Sequence, residues 1–367
     1  MIRRNFLYSA AGAAAAQNPS GQIGVGMVGV GNRGGYVMKS VMAQTGVRVA
    51  AICDIKPDRL DKAASAAARD NPAVYRDYRA LIDDKGVNAV HISTPCDLHV
   101  EHAIAALKAG KHVYLEKPVG ITPASIGELV KVARQANRVI QVGQQLRSDP
   151  RMRKTIERIH QGVIGKVVMI KAQRHAGDDL PHDSSSADWF FDAKRSGDVI
   201  VEMSVHNLDV CNWAANSRPE RASGFGGALV WPNDPPGRTN MDGYTLSYEY
   251  ANGVKLSFSQ VFFHPRGLPG NGQYWYVYGT EGAVDLGTST LYPRGRDGKP
   301  QVLFPEEKVD LNLAHVTSFI EAIRTSSPSS VSADLMVGAH GALTAILGRD
   351  AIYGKKTLTW SDLGVEL

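Results

Sequence analysis

Ile23-Gly-Val-Gly-Met-Val-Gly-Val-Gly-Asn-Arg-Gly34 is the stretch on which the fold turns. Ile23–Val30 is a continuous apolar run, the pattern of a strand buried on both faces. Gly29, Gly31 and Gly34 follow with Asn32 and Arg33 between them, and Gly35–Ala43 reads as a helix. A second apolar run, Arg48–Asp54, ends on an acid twenty residues beyond Gly34. Three spaced glycines alone are weak evidence. With a strand before them, a helix after them and an acid at this distance, they predict a dinucleotide-binding unit. Gly29 permits the tight turn, Gly31 lets a pyrophosphate approach the backbone, and Gly34 allows close helix–strand packing. The helix N-terminus offers free N–H groups to phosphates. Asp54 is expected to accept hydrogen bonds from the adenosine ribose and to repel a 2′-phosphate. NAD is therefore expected rather than NADP, with Arg59 softening the preference.

Outward from this unit, strand and helix alternate. Pro57–Arg69 and Tyr78–Asp83 read as helices, Ala89–Ser93 as a third strand, Leu98–Ala109 as a helix stopped by Gly110, and His112–Leu115 as a fourth strand. Pro123–Ala136 is a helix and Val139–Val142 a fifth strand. Such alternation implies right-handed crossovers and a parallel, doubly wound sheet. Beyond it, Asp149–Gln161 reads as a helix and Lys166–Arg174 as a strand. The segment His175–Asp188 has neither period, and loops of this length often cover a site. Strands follow at Thr245–Tyr250, Val254–Phe262, Tyr274–Gly279 and Gly282–Leu286, and helices at Leu313–Arg324 and Leu335–Asp350. The strand alternation suits an antiparallel sheet covered on one face. The expected division is a leader over residues 1–20, a dinucleotide-binding domain over 21–146 and an α/β substrate and oligomerisation domain over 147–367.

Composition narrows the class. The chain has 367 residues, 43% hydrophobic and 21% charged, which is ordinary globular usage for about two domains. Lys and Arg exceed Asp and Glu by 41 to 36, with no clustered basic stripe, so nucleic acid is not an expected partner. Cys53, Cys96 and Cys211 are scattered and read as small buried residues rather than a disulfide framework. Met1–Gln17 places Arg3-Arg4 before Phe6-Leu7 and a short Ala-rich run, too short to span a bilayer. It resembles a twin-arginine export signal ending in small residues that suit a signal peptidase. A periplasmic location follows, with no membrane association after export; a cytoplasmic protein with an Ala-rich N-terminus is the alternative.

Glu116-Lys117-Pro118 follows the strand His112–Leu115, at the strand ends that form the ligand crevice of doubly wound sheets. Ser93-Thr94-Pro95, His99 and Ala105–His112 precede it at fixed spacing. With these motifs the sequence resembles the glucose–fructose oxidoreductase, inositol dehydrogenase and rhizopine catabolism (Gfo/Idh/MocA) family from about Ile23 onward. The resemblance implies a Rossmann domain followed by an α/β domain whose large, mostly antiparallel open sheet carries substrate and often a subunit interface. It implies NAD(P)-dependent oxidation of a sugar or cyclitol hydroxyl, and a homo-oligomer, dimer or tetramer, through that sheet. It places Lys117 near substrate and nicotinamide, with a Lys117–Pro118 bond that is often cis. It also brings Ser93, Thr94, Pro95, His99, Glu116 and Gln145 to the cofactor, Gln145 on the nicotinamide side. Of the family's paired arginines only Arg147 carries over.

Glu202, His206 and Asp209 stand at i, i+4 and i+7 and would share a face if the segment is one helix. The family pattern is Asp-x-x-x-His-x-x-Asp, so His206 matches the catalytic histidine, while Glu202 is one methylene longer than the usual Asp. Glu202 is expected either to orient the imidazole or to reach the substrate, and Asp209 to make a hydrogen bond within the helix. No second histidine lies at ligand spacing, so no metal is expected. His175, His182, Trp189 and His264 are expected to be surface or packing residues, though each could touch substrate. Hydride transfer from an alcohol needs a base for the O–H proton and a cation for the developing alkoxide. His206 is the expected base, Lys117 the cation, and Glu116 the group that holds Lys117 or the nicotinamide ribose.

Two uses of such a site fit the sequence. One is a sugar or polyol dehydrogenase. The other is an NAD-dependent glycoside hydrolase, in which a transient ketone acidifies the neighbouring C–H and the glycosidic bond eliminates without net redox. Export and the Asn32-Arg33-Gly34 turn, which resembles such hydrolases, keep the second open. The intact Glu116-Lys117-Pro118 points to the first. An inactive binding module is a third possibility, opposed by the presence of both Lys117 and His206.

Overall fold

A computed structural model describes residues 21–177 and 187–367, so the leader and His182 lie outside the described residues. Its first sheet has six parallel strands, β1 (Ile23–Val28), β2 (Val47–Cys53), β3 (Ala73–Tyr75), β4 (Ala89–Ile92), β5 (His112–Leu115) and β6 (Ile140–Val142). Their order is β3-β2-β1-β4-β5-β6. The connecting helices are α1 (Asn32–Met42), α2 (Pro57–Ala66), α3 (Tyr78–Asp83), α4 (His99–Lys108) and α5 (Pro123–Ala136). Chain order reverses between β1 and β4, and ligands bind at such switch points. β1 is buried from Gly24 onward, which is why its sequence runs apolar without alternation. The expected strand reached Val30, but it ends at Val28, because Gly29 turns the chain at φ +82°. Strand β3 is an addition to the expected set; its three residues, with Val74 exposed, are too few to show a period.

Helix α6 (Pro150–His160) leads to the second sheet. It starts one residue later than expected because Asp149 caps it, accepting from Met152 N at 3.0 Å. The described residues form nine strands there: β7 (Val167–His175), β8 (Pro219–Gly227), β9 (Gly243–Tyr250), β10 (Lys255–Val261), β11 (Gly272–Gly279), β12 (Gly282–Asp285), β13 (Thr290–Pro293), β14 (Gln301–Val302) and β15 (Leu358–Thr359). Their order is β14-β13-β12-β11-β7-β10-β9-β8-β15. Neighbouring strands are antiparallel except β7 and β10, a parallel pair at the centre. The helices of this half are α7 (Ala187–Phe190), α8 (Ala193–Ser196), α9 (Asp198–Glu202), α10 (Val205–Ala215), α11 (Leu311–Arg324) and α12 (Leu335–Tyr353).

Leu256, Phe258 and Gln260 of β10 are buried while Lys255 and Ser257 are exposed, so one face packs under helices and the other is open. Val168, Met169, Tyr278 and Tyr292 remain exposed on this sheet. Helix α12 is buried along most of its length and packs against α10 and β8. Helix α11 returns to the first domain: Val316, Phe319 and Ile320 join the core formed by Val37, Val41 and Val49. The chain therefore returns to the first domain near its end. Among the described residues no helix is long and apolar enough to cross a membrane, and Cys53, Cys96 and Cys211 are buried free thiols.

Candidate active site

The glycine turn is built by exclusion. A Cβ on Gly29 would lie 2.5 Å from the Ser93 carbonyl oxygen, and one on Gly34 would lie 1.9 Å from the Gly29 carbonyl oxygen. No side chain fits at either position while β1, β4 and α1 stay in place. At Gly31 the nearest atoms belong to the Arg59 guanidinium, at 3.1 Å, which brings a cation over an otherwise open loop. Ser93 Oγ donates to the Gly29 carbonyl at 3.1 Å and fixes the β4 end against the turn. Asp54 is buried, and its two oxygens accept from Val30 N and Lys56 N, both at 3.0 Å. A carboxylate has further lone pairs to offer, so Asp54 can hold the loop and still accept from a ribose.

A cavity of about 410 Å³ runs along these strand ends. Gly29, Gly31, Asn32, Arg33, Asp54, Ser93, Thr94, Pro95, His99, Glu116 and Lys117, all expected at the cofactor, line it. Tyr78 and His102, with rings 4.0 Å apart, lie at one end, and Glu202 lies at the other. Asp188, Trp189 and Arg195 of the second domain also line it. Lys56 Nζ meets Asp188 at 3.2 Å and Arg195 meets Asp97 at 3.3 Å, so two ion pairs join the domains across the groove. A glycine cradle, a basic loop and a buried acid at the second strand are the donor set that an NAD molecule requires.

Several expected contacts are redistributed. Glu116 does not hold Lys117; it accepts from Arg33 Nε at 2.8 Å, while Arg33 Nη1 reaches Asn312 Oδ1 of α11 at 2.7 Å. Burial is the largest single influence and opposes the Glu116 charge, but the Arg33 guanidinium, His91 and Lys117 together outweigh it and hold the carboxyl well below the usual range. His99 lines the cavity wall, but its ring nitrogens face protein carbonyls, Pro118 O at 2.6 Å and Thr94 O at 2.9 Å. It therefore ties together the loops that follow β4 and β5. The Lys117–Pro118 bond between them is cis.

Lys117 Nζ donates to the Glu202 carboxylate at 2.8 Å and to the Glu202 carbonyl at 2.7 Å. Its carboxylate makes no hydrogen bond to His206 among the described contacts, so of its two expected roles the orienting of the imidazole is not seen, while the carboxylate still lines the cavity. The single helix expected through Glu202, His206 and Asp209 is broken at Met203-Ser204, between α9 and α10. Asp209 turns away and accepts a two-point bond from Arg147, at 2.9 and 2.8 Å, rather than a bond within its helix. Arg147 and Asp209 thus brace the junction.

His206 Nδ1 lies 3.0 Å from Gln144 Oε1. A carbonyl oxygen only accepts, so Nδ1 carries the proton and the Nε2 lone pair is free to take one. Burial, then the charges of Lys117 and Arg174, push the His206 pKa well below the ordinary imidazole value. The ring is neutral at pH 7. Gln144, for which no role was expected, touches the histidine; Gln145, expected on the nicotinamide side, has its Oε1 buried without a hydrogen-bond partner among the described residues. Sequence reasoning passed over Gln144 because adjacent identical residues offer no pattern to choose between them. It also passed over Arg174, whose inward direction depends on strand register. His175 and His264 pack with ring centroids 5.5 Å apart on the second sheet. Among the described residues no cluster of three His, Cys, Asp or Glu side chains could hold a metal ion.

Comparison with known proteins gives this geometry a lineage. Residues 23–144 match the Gfo/Idh/MocA oxidoreductase family, NAD-binding Rossmann fold, and residues 152–285 match the Gfo/Idh/MocA C-terminal domain. A myo-inositol 2-dehydrogenase from Thermotoga maritima is 23% identical over 342 residues, covering 91% of this chain and 96% of that protein. A glycosyl hydrolase family 109 protein from Saccharopolyspora erythraea is 34% identical over 152 residues, covering 39% of this chain and 33% of that protein. The scyllo-inositol dehydrogenase of Lactobacillus casei, solved with NAD(H) and scyllo-inositol, shares the fold at a TM-score of 0.75 and 20% identity, over 93% of this chain and 99% of that one. Two consecutive matches, one on each side of the junction that His206 and Lys117 span, make this chain an NAD-binding oxidoreductase of the Gfo/Idh/MocA family.

Proposed function

We propose that the protein oxidises a secondary hydroxyl of a sugar, sugar derivative or cyclitol, and that Lys117 and His206 act together on that hydroxyl. The observation that carries this reading is a neutral, oriented imidazole within electrostatic reach of Lys117, whose ammonium lines the dinucleotide groove beside Glu202. NAD, when bound, accepts the hydride. His206 Nε2 takes the hydroxyl proton, with Gln144 holding the ring in the tautomer that leaves this nitrogen bare. Lys117, anchored by Glu202, places its remaining N–H bond toward the developing alkoxide. Asp54 and the glycine turn hold the adenosine end, and Arg33 with Glu116 fixes the floor below.

Incubating the purified protein with NAD and a panel of free sugars, cyclitols and aryl glycosides tests this reading. Steady NADH formation from a free polyol supports it. Aglycone release without net NADH would instead assign the hydrolytic use, to which the Saccharopolyspora relative lends weight. We further propose export through the Arg3-Arg4 leader, checked by N-terminal sequencing of native protein, which should begin after the Ala run. Assembly through the open sheet face around Tyr278 and Tyr292 completes the reading; light scattering should give a dimer or tetramer.

A further inference from the structure

Arg174 approaches His206 and Glu202 from the second sheet, near enough for its charge to act on both. β7 carries it on the same face as Ile170 and Ala172, which are buried under the helices. Its register partners are Gln260 on β10 and Gln273 on β11, and Gln260 in turn pairs with Tyr244 on β9. Paired residues on adjacent strands share a face. Tyr244, Gln260, Arg174 and Gln273 therefore form one polar row on that face, buried at Tyr244 and Gln260, half-buried at Arg174 and exposed at Gln273. The row lies beneath the turn that carries His206. Tyr244 Oη donates to Gln260 Oε1 at 2.7 Å, Ser204 donates to the same oxygen, and Asn207 Nδ2 donates to Gln273 Oε1 at 3.0 Å. Arg174 Nε, Gln260 Nε2 and Asn207 Oδ1 are buried without hydrogen-bond partners among the described residues.

Among the described residues the charges around the reacting position are not all paired. Lys117 is matched by Glu202, Arg33 by Glu116 and Arg147 by Asp209, each at 2.8 Å. Among the described residues no carboxylate lies within ion-pair distance of Arg174, although Glu202 is near enough to favour its charge. His206 is neutral, so among these described groups Arg174 is the one charge left without an ion-pair partner. Partial burial works against that charge, and a half-buried cation whose Nε has no partner among the described residues gains from an anion that meets it. A planar guanidinium matches a carboxylate through two parallel N–H bonds. A single such charge fits a carboxylate better than a doubly charged phosphate ester.

We propose that the substrate is a sugar acid, and that Arg174 binds its carboxylate while Lys117 and His206 act on one of its hydroxyls. This rests on the dehydrogenase reading for the reaction, but not for the binding. The test uses the full-length protein loaded with NADH and titrated by calorimetry. The ligands are D-glucuronate, D-galacturonate and D-gluconate, each against its neutral amide, and glucose 6-phosphate. At least one acid should bind roughly ten- to hundredfold more tightly than its amide, the range of a charge-assisted hydrogen bond. Arg174→Gln should erase that ratio and Arg174→Lys should keep part of it, with NADH loading showing that both variants fold. If no acid outbinds its amide, or if the phosphate ester binds best, the proposal is overturned. Turnover separates the two readings. Oxidation of neutral polyols as efficient as that of any acid would overturn this proposal and leave the dehydrogenase standing. An Arg174-dependent preference for acids with aglycone release and no NADH would uphold the proposal and remove the dehydrogenase.

Discussion

Replacing Gln144 by leucine isolates the one contact that sets the His206 tautomer. The amide oxygen lies 3.0 Å from Nδ1, and Gln144 is 1% exposed with its Nε2 lacking a hydrogen-bond partner among the described residues. Leucine has similar bulk and removes the unsatisfied Nε2, but it leaves the His206 Nδ1–H without its acceptor, so a stability loss of about 1–3 kcal/mol should accompany it. Gln144 is not among the residues that line the cofactor groove, and NAD affinity should hold. The kinetic cost follows from the hydrogen bond. A neutral bond in a protein contributes about 0.5–1.5 kcal/mol, so kcat/KM should fall roughly two- to twelvefold. The pH profile adds a sign. An acceptor at Nδ1 stabilises the imidazolium more than the neutral ring, so its loss should move the acid limb of kcat/KM still lower. Initial rates of NADH formation across pH, on any accepted polyol, measure both effects. Gln145→Leu is the control, with a smaller effect expected. An unchanged rate and acid limb in Gln144→Leu, together with a large loss in Gln145→Leu, would refute the tautomer argument.

Two further outcomes follow from buried carboxylates. Asp54→Asn should weaken NAD by roughly tenfold and narrow its lead over NADP, as titration of both cofactors would show, because one charged acceptor toward the ribose is lost. Arg33→Met strands Glu116, whose side chain is 4% exposed. It should destabilise the fold by about 3 kcal/mol in urea unfolding, the low end for a broken buried pair since Arg33 is partly exposed. Glu116 titrates lower in the folded chain than in the unfolded one. Its contribution is therefore present above the ordinary glutamate range and fades as pH falls toward the folded value, and Arg33→Met should flatten that acid dependence.

What the sequence disclosed depended on range. The turn at Gly29–Gly34 and the placing of Asp54 just beyond β2 are local, set by backbone sterics and strand ends, and were legible as positions. Tyr78–Asp83, His112–Leu115 and Pro123–Ala136 carry strong periodicity or caps and match the structure residue for residue. β8 escaped because Gly224, Gly226 and Gly227 dilute its period, and β13 to β15 because they are two to four residues long. Side-chain partners were harder. Arg33 reaches Glu116 across 83 residues and Asn312 across 279, and no spacing rule connects such positions. Glu202 pairs with Lys117 rather than His206 because the helix breaks at Met203-Ser204, a break that the i, i+4 count assumed away. Arg174 became visible only once the register of β7 against β10 and β11 was fixed.

The central claim is that His206 is the proton acceptor in a hydride transfer. The most direct measurement is NADH formation by His206→Asn, on the best substrate of the unmodified enzyme, alongside its NAD affinity. Asparagine keeps a hydrogen-bonding group near Gln144 but cannot take the proton. A positioned base contributes about 10²–10⁴-fold, so turnover should fall by that order while NAD binds as before, since the glycine turn and Asp54 are untouched. Near-normal turnover in His206→Asn would contradict the account.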